Sequence, residues 1–85
     1  MYPQVLTNVV VDDKEATLKD ARVQAECEKC EEILGDNGRV LLRASGTEPV
    51  LRVMSEAGSD AEAEEMVDKI IASMAASGHL VEIRK

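Results

Sequence analysis

The residues with chemistry to offer gather in one stretch, Arg43-Ala44-Ser45-Gly46-Thr47-Glu48-Pro49-Val50-Leu51-Arg52. An apolar run, Val40-Leu41-Leu42, ends at Arg43, and a second begins at Val50 with Arg52 inside it. Between them lie two hydroxyls, Ser45 and Thr47, and a glycine, Gly46, that lets backbone N–H groups crowd a ligand. Pro49 has no amide to give a ladder and suits the first position of a strand. Hydroxyls, bared amides and forked guanidiniums are the groups that recognise a phosphate dianion. The stretch therefore reads as an anion-binding loop between two strands. The plainer alternative is a polar hairpin turn with solvated arginines.

Glu48 complicates that chemistry, since a carboxylate repels phosphate unless it turns away or meets a cation. An orienting role is expected for it, by pairing with Arg52 or by capping the turn.

The elements that must position this loop follow from apolar spacing. Val5 to Val11 is rich in β-branched residues and reads as a strand. Asp12 to Lys19 is charged and aperiodic, a connector with room for a helical turn. Asp20 is placed to cap a helix running to about Leu34, with Val23, Cys27, Cys30 and Leu34 along one stripe. Gly35-Asp36-Asn37-Gly38 is a stop followed by a turn. Strands follow over 39–44 and 50–56. In the first, Val40, Leu42 and Ala44 alternate against Arg39, Leu41 and Arg43; in the second, Leu51, Val53 and Ser55 alternate against Val50, Arg52 and Met54. Pairing them antiparallel puts both arginines near the loop, on the side away from the helices.

Ser59 and Glu62 form a capping box for a second helix from Asp60 to about Ala76. Its stripe is Ala63, Met66, Val67, Ile70, Ile71, Met74 and Ala75, and Gly78 ends it. Residues 79–84 alternate as an edge strand would. The order β-α-β-β-α-β specifies an α+β fold, a four-stranded antiparallel sheet with two helices on one face. Strand order is not legible.

Composition sets outer bounds. An 85-residue chain is one small domain with a thin margin of stability. With 45% apolar and 32% charged residues it is globular. Its only aromatic is Tyr2, which leaves no stacking platform for single-stranded nucleic acid. A net charge of −7 is the wrong sign for a phosphate-backbone binder. The acids crowd 12–32 and 56–68, whereas Arg39, Arg43 and Arg52 cluster at the loop, which suits a small anion better than a polymer. No apolar run is long enough to span a membrane, and no basic-then-apolar leader opens the chain. Two cysteines make no disulfide framework, so a cytoplasmic setting is expected.

Cys27-Glu28-Lys29-Cys30 has the spacing of a redox or zinc pair, yet it lies in mid-helix on the apolar stripe. The expectation is small buried hydrophobes. His79 is read as a surface residue with no Ser, Cys or Asp partner, and no pair of carboxylates is expected to converge. No catalytic residue and no metal ligand is assigned.

The string Arg43 to Pro49 resembles the phosphate-binding loop in the C-terminal domain of the α-D-phosphohexomutases. The flanks Gly38-Arg39-Val40-Leu41-Leu42 and Val50-Leu51-Arg52-Val53-Met54 resemble the bacterial phosphoglucosamine mutase branch, as do Tyr2-Pro3-Gln4-Val5-Leu6 and Asn8. The resemblance runs from about residue 2 to about residue 75. It implies a TATA-binding-protein-like fold and a place at the end of a longer protein whose upstream domains are its partners. It also implies a phosphosugar substrate, glucosamine 6-phosphate and 1-phosphate in this branch, with mannose and glucose phosphates the alternative within the family. The reaction implied passes through a phosphoserine and a bisphosphate intermediate, with magnesium held upstream.

By position, the resemblance makes Arg43, Ser45, Gly46 and Thr47 direct contacts of the phosphate that is not reacting, with Arg52 a further contact. Some family members carry the second arginine two residues later, where this chain has Met54. The phosphoserine, magnesium and sugar-binding loops of the family are missing, so the chain is expected to bind and orient without catalysing. The reading from another class is a freestanding anion-binding or protein-interaction module.

Overall fold

The computed structural model describes residues 2–84. The chain forms β1 (Gln4–Val11), α1 (Lys14–Lys19), α2 (Ala21–Leu34), a 3-10 turn (Gly35–Asn37), β2 (Arg39–Ser45), β3 (Val50–Glu56), α3 (Asp60–Ala76) and β4 (Leu80–Arg84). The strands make one sheet in the order β2-β3-β1-β4, with every neighbouring pair antiparallel. The α+β architecture expected from apolar spacing is the one observed, and the edge strand over the last residues does form.

One element exceeds the expectation. Residues 14–19 are a true helix, which adds a short third one to the two read from the sequence. Its cause is local capping. The Asp13 carboxylate accepts from the Ala16 amide, and the Thr17 hydroxyl donates to the Asp13 carbonyl at 2.7 Å. Asp20 then ends α1 and caps α2, accepting from the amides of Arg22 and Val23. Only Thr17 of this helix is fully buried, so no apolar stripe advertised it.

The core lies between one sheet face and the helices. Val9 and Val11 of β1, Val40 of β2, and Leu51 and Val53 of β3 meet Val23, Cys30 and Leu34 of α2 and Ala63, Met66, Val67, Ile70, Ile71 and Met74 of α3. Ser59 caps α3, its hydroxyl accepting from the Glu62 amide. Ala75 falls outside the stripe and is exposed. At the start of β2, Gly38 runs so close to β3 that an added Cβ would lie 2.0 Å from the Glu56 carbonyl oxygen. No helix among the described residues is long and apolar enough to cross a membrane.

Candidate anion-binding site

Strand pairing alone brings the site together. Arg43 of β2 lies directly opposite Arg52 of β3, Arg52 lies opposite Asn8 of β1, and Asn8 lies opposite Arg84 of β4. Residues opposite one another share a face, so Arg43, Arg52, Asn8 and Arg84 form one row across the sheet. The core residues alternate with them, which places the row on the face that no helix covers. Beside it runs an apolar row, Leu41–Met54–Leu6, also in register. Leu6, Leu41, Arg43, Arg52 and Met54 together line a cleft of about 220 Å³.

Two larger depressions, of about 440 and 380 Å³, lie on the helical side. Glu64, Glu65 and Asp68 outweigh Lys69 in the first, which is the wrong charge for an anion; the second sets Arg22 and Lys29 around Glu26, on the helix side away from the loop. The cleft beside the arginines is the smaller one with the right chemistry.

The loop 46–49 closes the β2–β3 hairpin at the edge of this row. Gly46 sits at φ +48°, in the left-handed region where a side chain is strained. Two donors from elsewhere in the chain pin the loop by its carbonyls. Lys14 Nζ donates to the Gly46 carbonyl at 2.8 Å, and the Val11 amide donates to the Pro49 carbonyl at 2.9 Å. Among the described residues, the amides of Gly46, Thr47 and Glu48 donate to no internal acceptor. The loop thus has two of its four carbonyls engaged, those of Gly46 and Pro49, and its Gly46, Thr47 and Glu48 N–H groups available, a polarity that suits an anion nest.

Arg43 and Arg52 are exposed and take part in no ion pair among the described residues. Two like charges in direct cross-strand register are unfavourable by a few tenths to about 1 kcal/mol. Charge of the opposite sign between them relieves that cost. Arg39, by contrast, is satisfied, its Nε lying 3.3 Å from Glu56 Oε2.

Two expectations require correction. Glu48 does not pair with Arg52. Its carboxylate lies 3.8 Å from Arg84 Nη1, because β4 docks beside β1 and brings its last arginine under the loop. His79 is not without partners either. Its Nδ1 meets Asp12 Oδ1 at 2.8 Å, and its Nε2 is 3.7 Å from Asp20 Oδ2. The carboxylates of Asp12 and Asp20 therefore do converge, on the imidazole that ties β4 to the ends of β1 and α1. A carboxylate only accepts, so Nδ1–H is the donor.

Of the two cysteines expected to be buried, Cys30 is and Cys27 is half-buried. Burial, then the neighbouring Cys30 and glutamates, push the Cys27 thiol up to about 11. Burial also raises that of Cys30, against the lowering effect of Lys69. Neither is a thiolate at neutral pH.

Sequence reading missed Lys14, Asn8 and Arg84 as neighbours of the loop. Lys14 is 32 residues from Gly46, inside a stretch whose charges looked uniform. Alternation was legible over residues 79–84, but the first strand was read from its β-branched residues alone, and the strand order that aligns Asn8 with Arg84 was not legible.

Residues 6–73 match the family described as Phosphoglucomutase/phosphomannomutase, C-terminal domain. The chain is 49% identical over 81 residues to the phosphoglucosamine mutase of Lachnospira eligens, covering 95% of this chain and 18% of that one. It is 53% identical over 68 residues to that of Bifidobacterium adolescentis, covering 80% and 15%. Among solved structures it superposes on N-acetylphosphoglucosamine mutase of Aspergillus fumigatus with a TM-score of 0.75 and 26% identity, over 91% of this chain and 16% of that one. A structure of the same fungal enzyme in complex with GlcNAc-6P and magnesium gives a TM-score of 0.72 and 28% identity, over the same shares of the two chains. The chain thus spans less than a fifth of the length of these relatives.

Proposed function

The chain belongs to the family of phosphoglucomutase/phosphomannomutase C-terminal domains, and from that premise we propose that it grips the non-transferring phosphate of a sugar phosphate. The observation that carries the reading is the pair of facing guanidiniums, Arg43 and Arg52, without an ion-pair partner among the described residues, beside a loop whose Gly46 and Pro49 carbonyls are tied and whose amides are not. Arg43 and Arg52 supply charge and directed donors. Ser45 and Thr47 supply hydroxyls, and Gly46 supplies an approach that only a left-handed residue allows. Glu48, held toward Arg84, is kept from facing the incoming dianion.

The parent enzyme on this reading interconverts glucosamine 6-phosphate and glucosamine 1-phosphate, as the names of the relatives support. This part contributes orientation. Binding a remote phosphate is used to position the end that reacts. The transferred phosphoryl group and its serine belong to upstream domains. Magnesium belongs there too. The cleft itself sets two cations, Arg43 and Arg52, among Leu6, Leu41 and Met54, a lining for an anion.

Titrating the 85-residue chain with inorganic phosphate tests the reading. Saturable amide shifts at Ser45, Gly46 and Thr47 are expected, and a protein-interaction module would show none there. Incubation with glucosamine 6-phosphate should yield no 1-phosphate. A single detected turnover would show that the chain is catalytic by itself.

A further inference from the structure

One polar residue in the arginine row has no work in the fold. Asn8 interrupts β1 between Leu6 and Val10 on the open face, yet its Oδ1 is shut off from water and has no hydrogen-bond partner among the described residues. A buried acceptor left unsatisfied is a cost that folding alone does not explain. Its cross-strand neighbours are Arg52 on one side and Arg84 on the other. Arginine has donors and no acceptor, so the oxygen is the end of the amide that suits this position. Arg84 is already engaged by Glu48 and Glu82, whereas Arg52 is not engaged by any carboxylate among the described residues.

We propose that Asn8 is a positioning residue for Arg52, accepting from its guanidinium and holding the fork toward the cleft when phosphate is bound. The inference rests on the phosphate reading of the loop. An exposed arginine moves among many rotamers. A neutral acceptor in the next strand selects one of them without adding a negative charge that would compete with the ligand.

The test is phosphate titration of the ¹⁵N-labelled chain, read at the Gly46 and Thr47 amides and at Arg52 Nε–H, with a thermal melt of each variant. Asn8→Leu keeps the size and removes the acceptor. It should weaken phosphate about threefold to tenfold, the worth of one hydrogen bond, and lose the Arg52 Nε–H response. Its melting temperature should hold or rise, which a residue needed for the fold would not allow. Asn8→Thr retains an oxygen on a strand-forming residue and should bind closer to wild type. Equal affinity in wild type and Asn8→Leu overturns the proposal while leaving the loop assignment standing. Unfolding or a lowered melt in Asn8→Leu overturns it as well. A wild-type chain that shows no phosphate response overturns the loop assignment and this inference together.

Discussion

The two faces of this sheet are built from the same strands and obey opposite rules. On the helix side, Val9, Leu51, Val53, Met66 and Ile70 leave no surface to water. On the other side, Arg43, Arg52 and Leu6 stand exposed, and the arginine row contains an amide oxygen, that of Asn8, with no partner among the described residues. A period of two is enough to separate them, because each residue of a strand points away from its neighbours. The helix face holds the domain together, and the open face carries unrelieved charge that a ligand can relieve.

If that division is right, damage to one face should leave the property of the other intact. The largest effect is expected from Met66→Ala, which opens a cavity among fully buried residues and should cost about 2–5 kcal/mol of unfolding free energy. In a denaturant melt that loss should appear as an earlier midpoint. The phosphate affinity of the molecules that remain folded should not change. Altered affinity would show that the core shapes the site more directly than strand register implies.

The converse is Arg43→Ala. Removing a charge-assisted donor should cost about 1.5–3 kcal/mol of phosphate binding, which abolishes a weak interaction at practical concentrations. An exposed guanidinium with no protein partner contributes little to folding, so the melt should move by well under about 1 kcal/mol. Its removal also ends the like-charge opposition with Arg52. A large loss of stability instead would mean that Arg43 is part of the structural frame.

How much of this was written in the sequence depends on the range of each contact. The helix stripe of α3 and the alternation of β2 and β3 are local patterns, and they placed Arg43 and Arg52 on the open face without coordinates. The loop chemistry of Ser45, Gly46 and Thr47 was equally local. Short α1 escaped because it buries only Thr17 and is stabilised by Asp13 capping rather than by periodicity. The Glu48–Arg84, His79–Asp12 and Lys14–Gly46 contacts span 36, 67 and 32 positions. They depend on β1 lying between β3 and β4, an arrangement for which strand composition has no code. The partner assigned to Glu48 failed for that reason.

Gly46 offers an intermediate test. Nothing lies within 4 Å of where its Cβ would be, so Gly46→Ala meets no clash, only the left-handed backbone. A cost of about 1 kcal/mol is expected. Phosphate should also bind more weakly, since a relaxed loop redirects its amides. Gly38→Ala differs in kind, because its Cβ would meet the backbone of Glu56. It should destabilise the fold more than Gly46→Ala does.

Cys27 gives the helix side a pH signature. The folded protein keeps its thiol protonated to about 11, against an ordinary value of 9.0. Raising the pH past 9.0 therefore ionises the unfolded chain first, and stability is lost as pH climbs toward 11. Cys27→Ala should flatten part of that decline in melts recorded across the interval, while the phosphate response near neutrality stays put.

The smallest effect draws the sharpest line between the faces. Ser55 Oγ, on the helix side, and Asn8 Oδ1, on the open side, are both buried without a partner among the described residues. Ser55→Ala removes an unsatisfied hydroxyl from an apolar setting and should leave stability unchanged or raise it by less than about 1 kcal/mol. Phosphate affinity should be untouched. Asn8→Leu makes the same kind of deletion, and it too should spare the melt while weakening the ligand. Two orphaned oxygens with equal consequences for folding and unequal ones for binding would assign one to imperfect packing and the other to the site. Equal consequences for both would make Asn8, like Ser55, a matter of packing, and would leave the anion site resting on the loop and Arg43 without it.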